Sequence, residues 1–347
     1  MIPFRNILVV QTAFAGDVVL VTPLIRATKL AFPESGIDVL LTPETAVLFK
    51  NNPYVRSVLV YDKRGHDRGI APFVRWVERL RTNRYDLALV PHRSMRSALL
   101  VYLARIRRRI GFSRSSGFFL YTDAVPYPKT IHEVDRNLLL LRRTGWKKSV
   151  PAPVLFPGAG EKKAVDLFLS ENGIAPGEPF AVLAPGSLWP TKRWPAERYR
   201  ETADILYRRH GLRSVLVGGK EDARLGEALA AGSGKHLLNA IGRFSLLESA
   251  ELIRRSQLLL ANDSAPLHLA VAVGTRAAGI FGPTVPDFGF APYGSGHAVI
   301  QKELECRPCS IHGGYTCPKG HFRCMVDISA ETVANVLERF LPRGKTA

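Results

Sequence analysis

A phosphate group is held well by backbone N–H groups at the start of a helix with a cation alongside, and the sequence offers two such places. The first is Ala184-Pro185-Gly186-Ser187, followed by Thr191-Lys192-Arg193-Trp194-Pro195. Gly186 lets the backbone turn close to a ligand and Ser187 can donate a hydroxyl; Lys192 precedes a proline-started helix, where its ammonium can meet a diphosphate. A surface turn with solvated cations would use the same residues. The second is Asn262-Asp263-Ser264-Ala265-Pro266-Leu267-His268. Here Asp263 or Ser264 is a natural helix cap and Pro266 suits a first turn, so the segment explains itself without a ligand. Its place after a buried strand nevertheless directs it at a ligand crevice. In the other half of the chain, Gly16-Asp17 sets a carboxylate at a helix start. The dipole keeps such an Asp ionised, either as a cap or as a base able to take a proton from an attacking hydroxyl.

Missing motifs narrow the chemistry. No Asp-x-Asp occurs, so the acidic pair that often holds Mg²⁺ on a sugar nucleotide is lacking, and neutralisation of a leaving diphosphate falls to Lys192 and helix dipoles. There is no P-loop, and Gly158-Ala159-Gly160 lies in a hinge rather than after a strand, which removes the dehydrogenase fingerprint. All four cysteines, Cys306, Cys309, Cys317 and Cys324, share one patch with His312 and His321. Such a cluster suggests a structural Zn²⁺ or a redox-labile clasp. Intervals of 2, 7 and 6 residues match no common zinc ribbon, so free thiols or a disulfide stand as the alternative.

These residues need elements to position them. Apolar runs at 6–10, 37–41, 57–61 and 86–90 predict strands, separated by helix-sized segments that include an amphipathic stretch at 18–32. A proline-rich linker is expected at 149–162. The pattern then restarts, with strands predicted at 180–183, 214–217, 257–260 and 277–281 and helices at 195–210 and 267–273. The fold class is therefore α/β, with two doubly wound Rossmann-like domains facing across a cleft. The expected divisions are 1–155 for the first domain and 156–329 for the second, which includes the cysteine patch. The remaining residues, 330–347, form a C-terminal helix expected to pack back on the first domain.

The chain has 347 residues, 46% of them hydrophobic, enough to bury two cores at roughly 150 residues per domain. Its apolar runs fall far short of the about 18 residues a membrane helix needs, and the start lacks a secretion signal, so a cytoplasmic location is expected. Of the net charge of +18, residues 1–155 supply +14, from 25 Lys+Arg against 11 Asp+Glu. An anionic partner follows: nucleic acid, an acidic membrane surface or a phosphorylated substrate. Nucleic acid is disfavoured because the first domain lacks interleaved aromatics and the cysteine spacing matches no familiar finger. The basic run Arg105 to Arg109, with Arg93, Arg96 and Arg114, is a solvated helix face or a docking surface for lipid headgroups.

With those residues in view, the chain resembles the ADP-heptose:lipopolysaccharide heptosyltransferases, glycosyltransferase family nine, and among them the heptosyltransferase II-like members. The resemblance rests on Gln11 to Val19 with Thr22-Pro23, Arg109-Ile110-Gly111-Phe112, Pro185-Gly186-Ser187 with Lys192 to Pro195, Gly218-Gly219-Lys220-Glu221, Asn262 to Ala270, and Phe281-Gly282-Pro283-Thr284. It implies a GT-B fold with acceptor on the first domain and ADP-sugar on the second, and inverting, metal-independent transfer with no cofactor. By the same resemblance Asp17 is the general base, Lys192 the phosphate-binding cation with Ser187 and Gly186 beside it, and Glu221 a ribose ligand. Asp263, Ser264 and His268 belong to the heptose and diphosphate pocket. Arg93, Ser94, Arg96 and Arg109 are the candidate acceptor-binding residues. Ala265 departs from the family's usual glycine, and its methyl narrows the approach to the phosphates. The implied partners are ADP-L-glycero-D-manno-heptose, the anionic inner core of lipopolysaccharide, and the inner face of the cytoplasmic membrane, touched peripherally. Another nucleotide-sugar transferase of the same family is the nearest alternative.

Overall fold

The computed structural model describes residues 4–148 and 152–342. The chain divides into two compact units, residues 1–156 and 157–347. The first contains β1 (Asn6–Val10), α1 (Ala15–Leu20), α2 (Thr22–Ala31), β2 (Gly36–Leu41), α3 (Pro43–Ala46), β3 (Ser57–Val60), α4 (Ile70–Thr82), β4 (Leu87–Val90), α5 (Met95–Leu103), β5 (Arg108–Phe112), β6 (Asp123–Val125) and α6 (Glu133–Arg142). Its strands are all parallel, in the order β3-β2-β1-β4-β5-β6. Ile7 pairs with Ile37 on one side and Leu87 on the other. Helices cover both faces of such a sheet, which is why β1 and β4 read as unbroken apolar runs and are buried throughout Ile7 to Val10 and Leu87 to Val90.

The second unit contains α7 (Ala159–Glu171), β7 (Phe180–Ala184), α8 (Ala196–His210), β8 (Arg213–Leu216), α9 (Ala223–Ala230), β9 (Leu237–Asn239), α10 (Leu246–Arg255), β10 (Leu258–Asn262), α11 (Ala265–Ala272), β11 (Ala277–Phe281), β12 (Ala298–Gln301), α12 (Arg323–Val326) and α13 (Ala330–Glu338). Its parallel order, β12-β11-β10-β7-β8-β9, repeats that of the first unit. Both are the dinucleotide-fold order, in which the chain leaves two central strands in opposite directions and opens a crevice at their carboxyl ends. The crevices fall after β1 and β4, and after β7 and β10.

Two expectations are corrected. The helix expected over 18–32 is two helices, because Pro23 has no N–H to return to the Val19 carbonyl; the Thr22 hydroxyl donates to that carbonyl instead, at 2.8 Å. The expected linker at 149–162 overlaps α7, whose start is fixed by the Gly158 N–H donating to the Glu161 carboxylate at 2.8 Å; residues 149–151 lie outside the described ones. The C-terminal helix, α13, packs on α8, with Val333, Ala334 and Leu337 buried in the core of the second unit. Among the described residues no helix is long and apolar enough to cross a membrane.

Candidate functional site

In the second unit, the crevice is built around Asn262, the last residue of β10. Its fully buried side chain donates to the Pro185 carbonyl at 2.8 Å and accepts from the Trp194 N–H at 3.0 Å, clamping both ends of the loop that follows β7. Lys192, held inside that loop, places Nζ 2.5 Å from Asp263 Oδ2, and the Thr284 hydroxyl donates to the same oxygen at 2.7 Å. Both charged side chains are mostly buried. A buried ammonium without a partner would be costly, so Asp263 holds Lys192 in place. Gly186 and Ser187 are buried at the loop's start. A Cβ at position 186 would run into Asp222 Oδ2, so any larger residue there would displace that carboxylate. Burial raises the pKa of Asp222, opposed by Arg193, whose Nε also donates to the Ser187 carbonyl at 2.7 Å. Glu221 sits exposed beyond β8, its carboxylate folded over Gly219. Ser264 opens α11, but its hydroxyl turns back to the Asn262 carbonyl at 3.3 Å and no side chain caps the helix. The ring of His268 is buried.

In the first unit, Asp17 stands in the first turn of α1, after β1. Its charge is felt by Glu133, the first residue of α6. Burial pushes the Glu133 carboxyl up to about 7; Arg136 pulls against this and Asp17 adds to it. Tyr127 donates its hydroxyl to Glu133 Oε2 at 2.8 Å, Arg136 Nη1 lies 3.3 Å from that oxygen, and the Arg93 guanidinium stacks 4.3 Å above the Tyr127 ring. The Asn137 amide donates to the Leu20 carbonyl at 3.2 Å and fastens α6 to α1. Below the turn after β1, Lys63 Nζ donates to the Thr12 carbonyl at 2.6 Å. His92, held down to about 4 by burial and by neighbouring Lys63 and Arg93, meets the Thr12 hydroxyl at 3.0 Å as a neutral ring. Thr12 to Ala15, Thr42 to Thr45 and Asp62 to Arg64 line a cleft of about 150 Å³.

The profile of glycosyltransferase family 9 (heptosyltransferase) matches residues 73–317, more than half of the chain. The chain belongs to this family. It is 28% identical, over an alignment of 365 residues, to lipooligosaccharide heptosyltransferase 2 of Haemophilus ducreyi, covering 97% of this chain and 99% of that one. Lipopolysaccharide heptosyltransferase 3 of Escherichia coli is 30% identical, with 78% and 82% covered. Among solved structures, a family 9 glycosyltransferase from Veillonella parvula superposes with a TM-score of 0.88 at 23% identity over 98% of each chain. The E. coli ADP-heptose lps heptosyltransferase II gives 0.80 at 24% identity over 97% of this chain and 98% of that one. That likeness establishes the fold, which is GT-B, and membership of the family makes the protein a glycosyltransferase.

Against this family framework the candidates separate. Gly186, Ser187, Lys192 and Asp263 gather at one crevice, with Ser264 beside them. Of the four acceptor candidates, Arg93 acts on the same carboxyl as Asp17, that of Glu133. Ser94 caps α5, accepting from the Ser97 N–H at 3.1 Å. Arg96 donates to the Tyr61 hydroxyl and to the Asp67 carbonyl, and Arg109 donates to the Leu120 and Ile106 carbonyls, so both guanidinia brace their own unit.

Of the readings left open for Cys306, Cys309, Cys317 and Cys324, the zinc site is corrected and free thiols stand. Among the described residues no group of three or more His, Cys, Asp or Glu is arranged to hold a metal, and all four thiols are free. Cys324 is buried in the apolar core, which pushes its thiol up to about 11, and the Cys309 thiol donates to the Cys306 carbonyl at 3.2 Å. The segment straps the crevice instead. Arg307 donates to the carbonyls of Gly282 and Thr284, the Cys309 N–H to Pro283 at 2.9 Å, and Gly314 exchanges hydrogen bonds with Thr191.

Sequence reasoning left Asn262, Asp222, Thr284 and Arg307 without roles, and did not single out Glu133, Tyr127, His92 or Lys63. Only Asn262 and Thr284 carried a local signal, as parts of the quoted motifs.

Proposed function

We propose that this glycosyltransferase moves a heptose from ADP-L-glycero-D-manno-heptose to the inner core of lipopolysaccharide, with inversion and without a metal, as a heptosyltransferase II-like enzyme. The observation that carries the reading is Lys192 held by Asp263 and Thr284 at the crevice of the second unit. A diphosphate entering there draws Lys192 into a three-way pairing, and the negative charge that develops on the leaving ADP meets a cation already in place. Asp17 accepts the proton of the acceptor hydroxyl as that oxygen forms a bond to the anomeric carbon. The anomeric carbon–oxygen bond to the diphosphate breaks, its electron pair leaves with ADP, and attack from the opposite face inverts the configuration. Glu221 takes the ribose, Ser187 and the N–H groups of Ser264 and Ala265 at the start of α11, with His268 behind them, take the diphosphate and sugar, and Arg93 meets acceptor anions. The names of the relatives, which pair heptosyl transfer with lipopolysaccharide or lipooligosaccharide, support donor and acceptor alike. Work at the inner face of the cytoplasmic membrane, and no call on nucleic acid, belong to the same reading.

Two measurements test it. Saturation-transfer NMR with ADP, UDP and GDP should show preference for ADP, and NMR of the product should show the anomeric configuration opposite to that of the donor. Preference for UDP or GDP would overturn the heptose assignment, and a retained configuration would overturn the single displacement.

A further inference from the structure

Helix α5 is apolar on two sides. Ala98, Leu100 and Val101 enter the core. Met95, Leu99, Tyr102 and Leu103, at the i, i+4, i+7, i+8 spacing of a helical stripe, are left at the surface, with Met95, Tyr102 and Leu103 exposed. Gly117 seats the turn 118–120 against the start of this stripe: a Cβ there would lie 2.5 Å from Ala98 Cβ and 3.2 Å from Met95 Sδ. That turn carries Phe118 and Phe119, 48% and 65% exposed, their rings edge to face at 5.9 Å. A contiguous apolar surface of this kind marks an interaction site.

The charge around it names the partner. Between Asp86 and Asp123 the chain has seven arginines and no acidic residue. Arg96 and Arg109 are engaged as described, and Arg108 pairs with Asp123. Arg105, Arg107 and Arg114 remain exposed, and Arg81, exposed on α4, donates to the Leu103 carbonyl at 2.8 Å at the far end of the stripe. Aromatic and aliphatic side chains ringed by guanidinia, with no carboxylate in the segment, suit a surface that is apolar beneath and negative above. We propose that this face of α5 and the 118–119 turn docks on an anionic lipid bilayer. Phe118, Phe119 and the stripe enter the boundary between headgroups and acyl chains, and Arg105, Arg107 and Arg114 meet lipid phosphates. The inference rests on the reading of the acceptor as a lipid-borne saccharide, and it identifies the surface that brings the enzyme to it.

The test is flotation of the full chain with phosphatidylglycerol vesicles and with phosphatidylcholine vesicles, at about 0.15 M NaCl, where exposed charges are screened beyond roughly 8 Å. Turnover on a deacylated, water-soluble core acceptor is measured in parallel. The wild-type chain should float with the anionic vesicles and not the zwitterionic ones. Phe118→Ser/Phe119→Ser should lower that partition roughly tenfold, as loss of two inserted aromatics requires. Arg105→Ser/Arg107→Ser should lower it too and flatten its salt dependence, and both variants should keep turnover on the soluble acceptor. No flotation by the wild-type chain even at low salt, or flotation undiminished in both variants, overturns the proposal. So does binding that ignores the phenylalanines and is competed away by RNA, or a dimer in solution that the phenylalanine variant dissolves. Absence of turnover on the soluble acceptor with partition intact counts against glycosyl transfer and leaves the docking surface supported.

Discussion

The two units run their strands in the same order, yet the ends of their central strands are equipped differently. After β7 and β10, the ionised groups pair within the crevice: Lys192 with Asp263, Arg193 near Asp222, and Asn262 closing the loop between them. After β1 and β4, the carboxyls of Asp17 and Glu133 share a region where burial and repulsion raise Glu133 towards neutrality, and Arg93 stacks nearby. On the proposed reading, one architecture carries a pre-set cation for a polyanion in the second unit and a carboxylate base beside a carboxyl held towards neutrality in the first. A leaving diphosphate needs charge held still; an attacking hydroxyl needs somewhere to put a proton.

Variants that separate the two crevices should do so in order of effect. Asp17→Asn should cost about 10²–10⁴ in kcat, the usual worth of a general base, while ADP affinity by calorimetry stays near wild type. Near-native kcat would move the base elsewhere. Lys192→Ala should weaken ADP about a hundredfold, as loss of a charge-assisted contact to phosphate does, and leaves Asp263 without its cation. Unchanged affinity would break the contrast between the crevices.

Asn262→Ala strands the Pro185 carbonyl and the Trp194 N–H, and should cost about 1–3 kcal/mol of stability in denaturant melts. A Glu133→Gln variant sharpens the first crevice. The folded carboxyl titrates near 7 against an ordinary 4.5, so wild-type stability is full below the ordinary value and is lost as pH rises through the folded one. The variant should remove that fall, so its stability relative to wild type should rise by about 2 kcal/mol between about pH 5 and about pH 8. Parallel melting curves at the two pH values would refute the assignment.

How much of this could be read in the sequence follows from how local each feature is. β1, β4, β7 and β10 are buried on both faces and therefore appear as apolar runs. β5 begins Arg108-Arg109, and its basic start hid it. Gly186, Ser187, Lys192 and Asp263 were legible because loop chemistry at a strand end is written in consecutive residues. Glu133 and Tyr127 were not, since more than a hundred residues separate them from Asp17 and only the sheet topology reunites them. The cysteines misled for the opposite reason. Their closeness along the chain suggested metal chemistry, whereas the fold buries Cys324 and uses the segment's backbone and Arg307 to strap the crevice.

The account stands or falls on acceptor-dependent chemistry. ADP release from ADP-heptose by the purified chain, in EDTA, with and without truncated lipopolysaccharide core, is the most direct measurement. Release that depends on the core acceptor and is indifferent to EDTA is the predicted result. Release that needs a divalent ion, or that never responds to the acceptor, would contradict it.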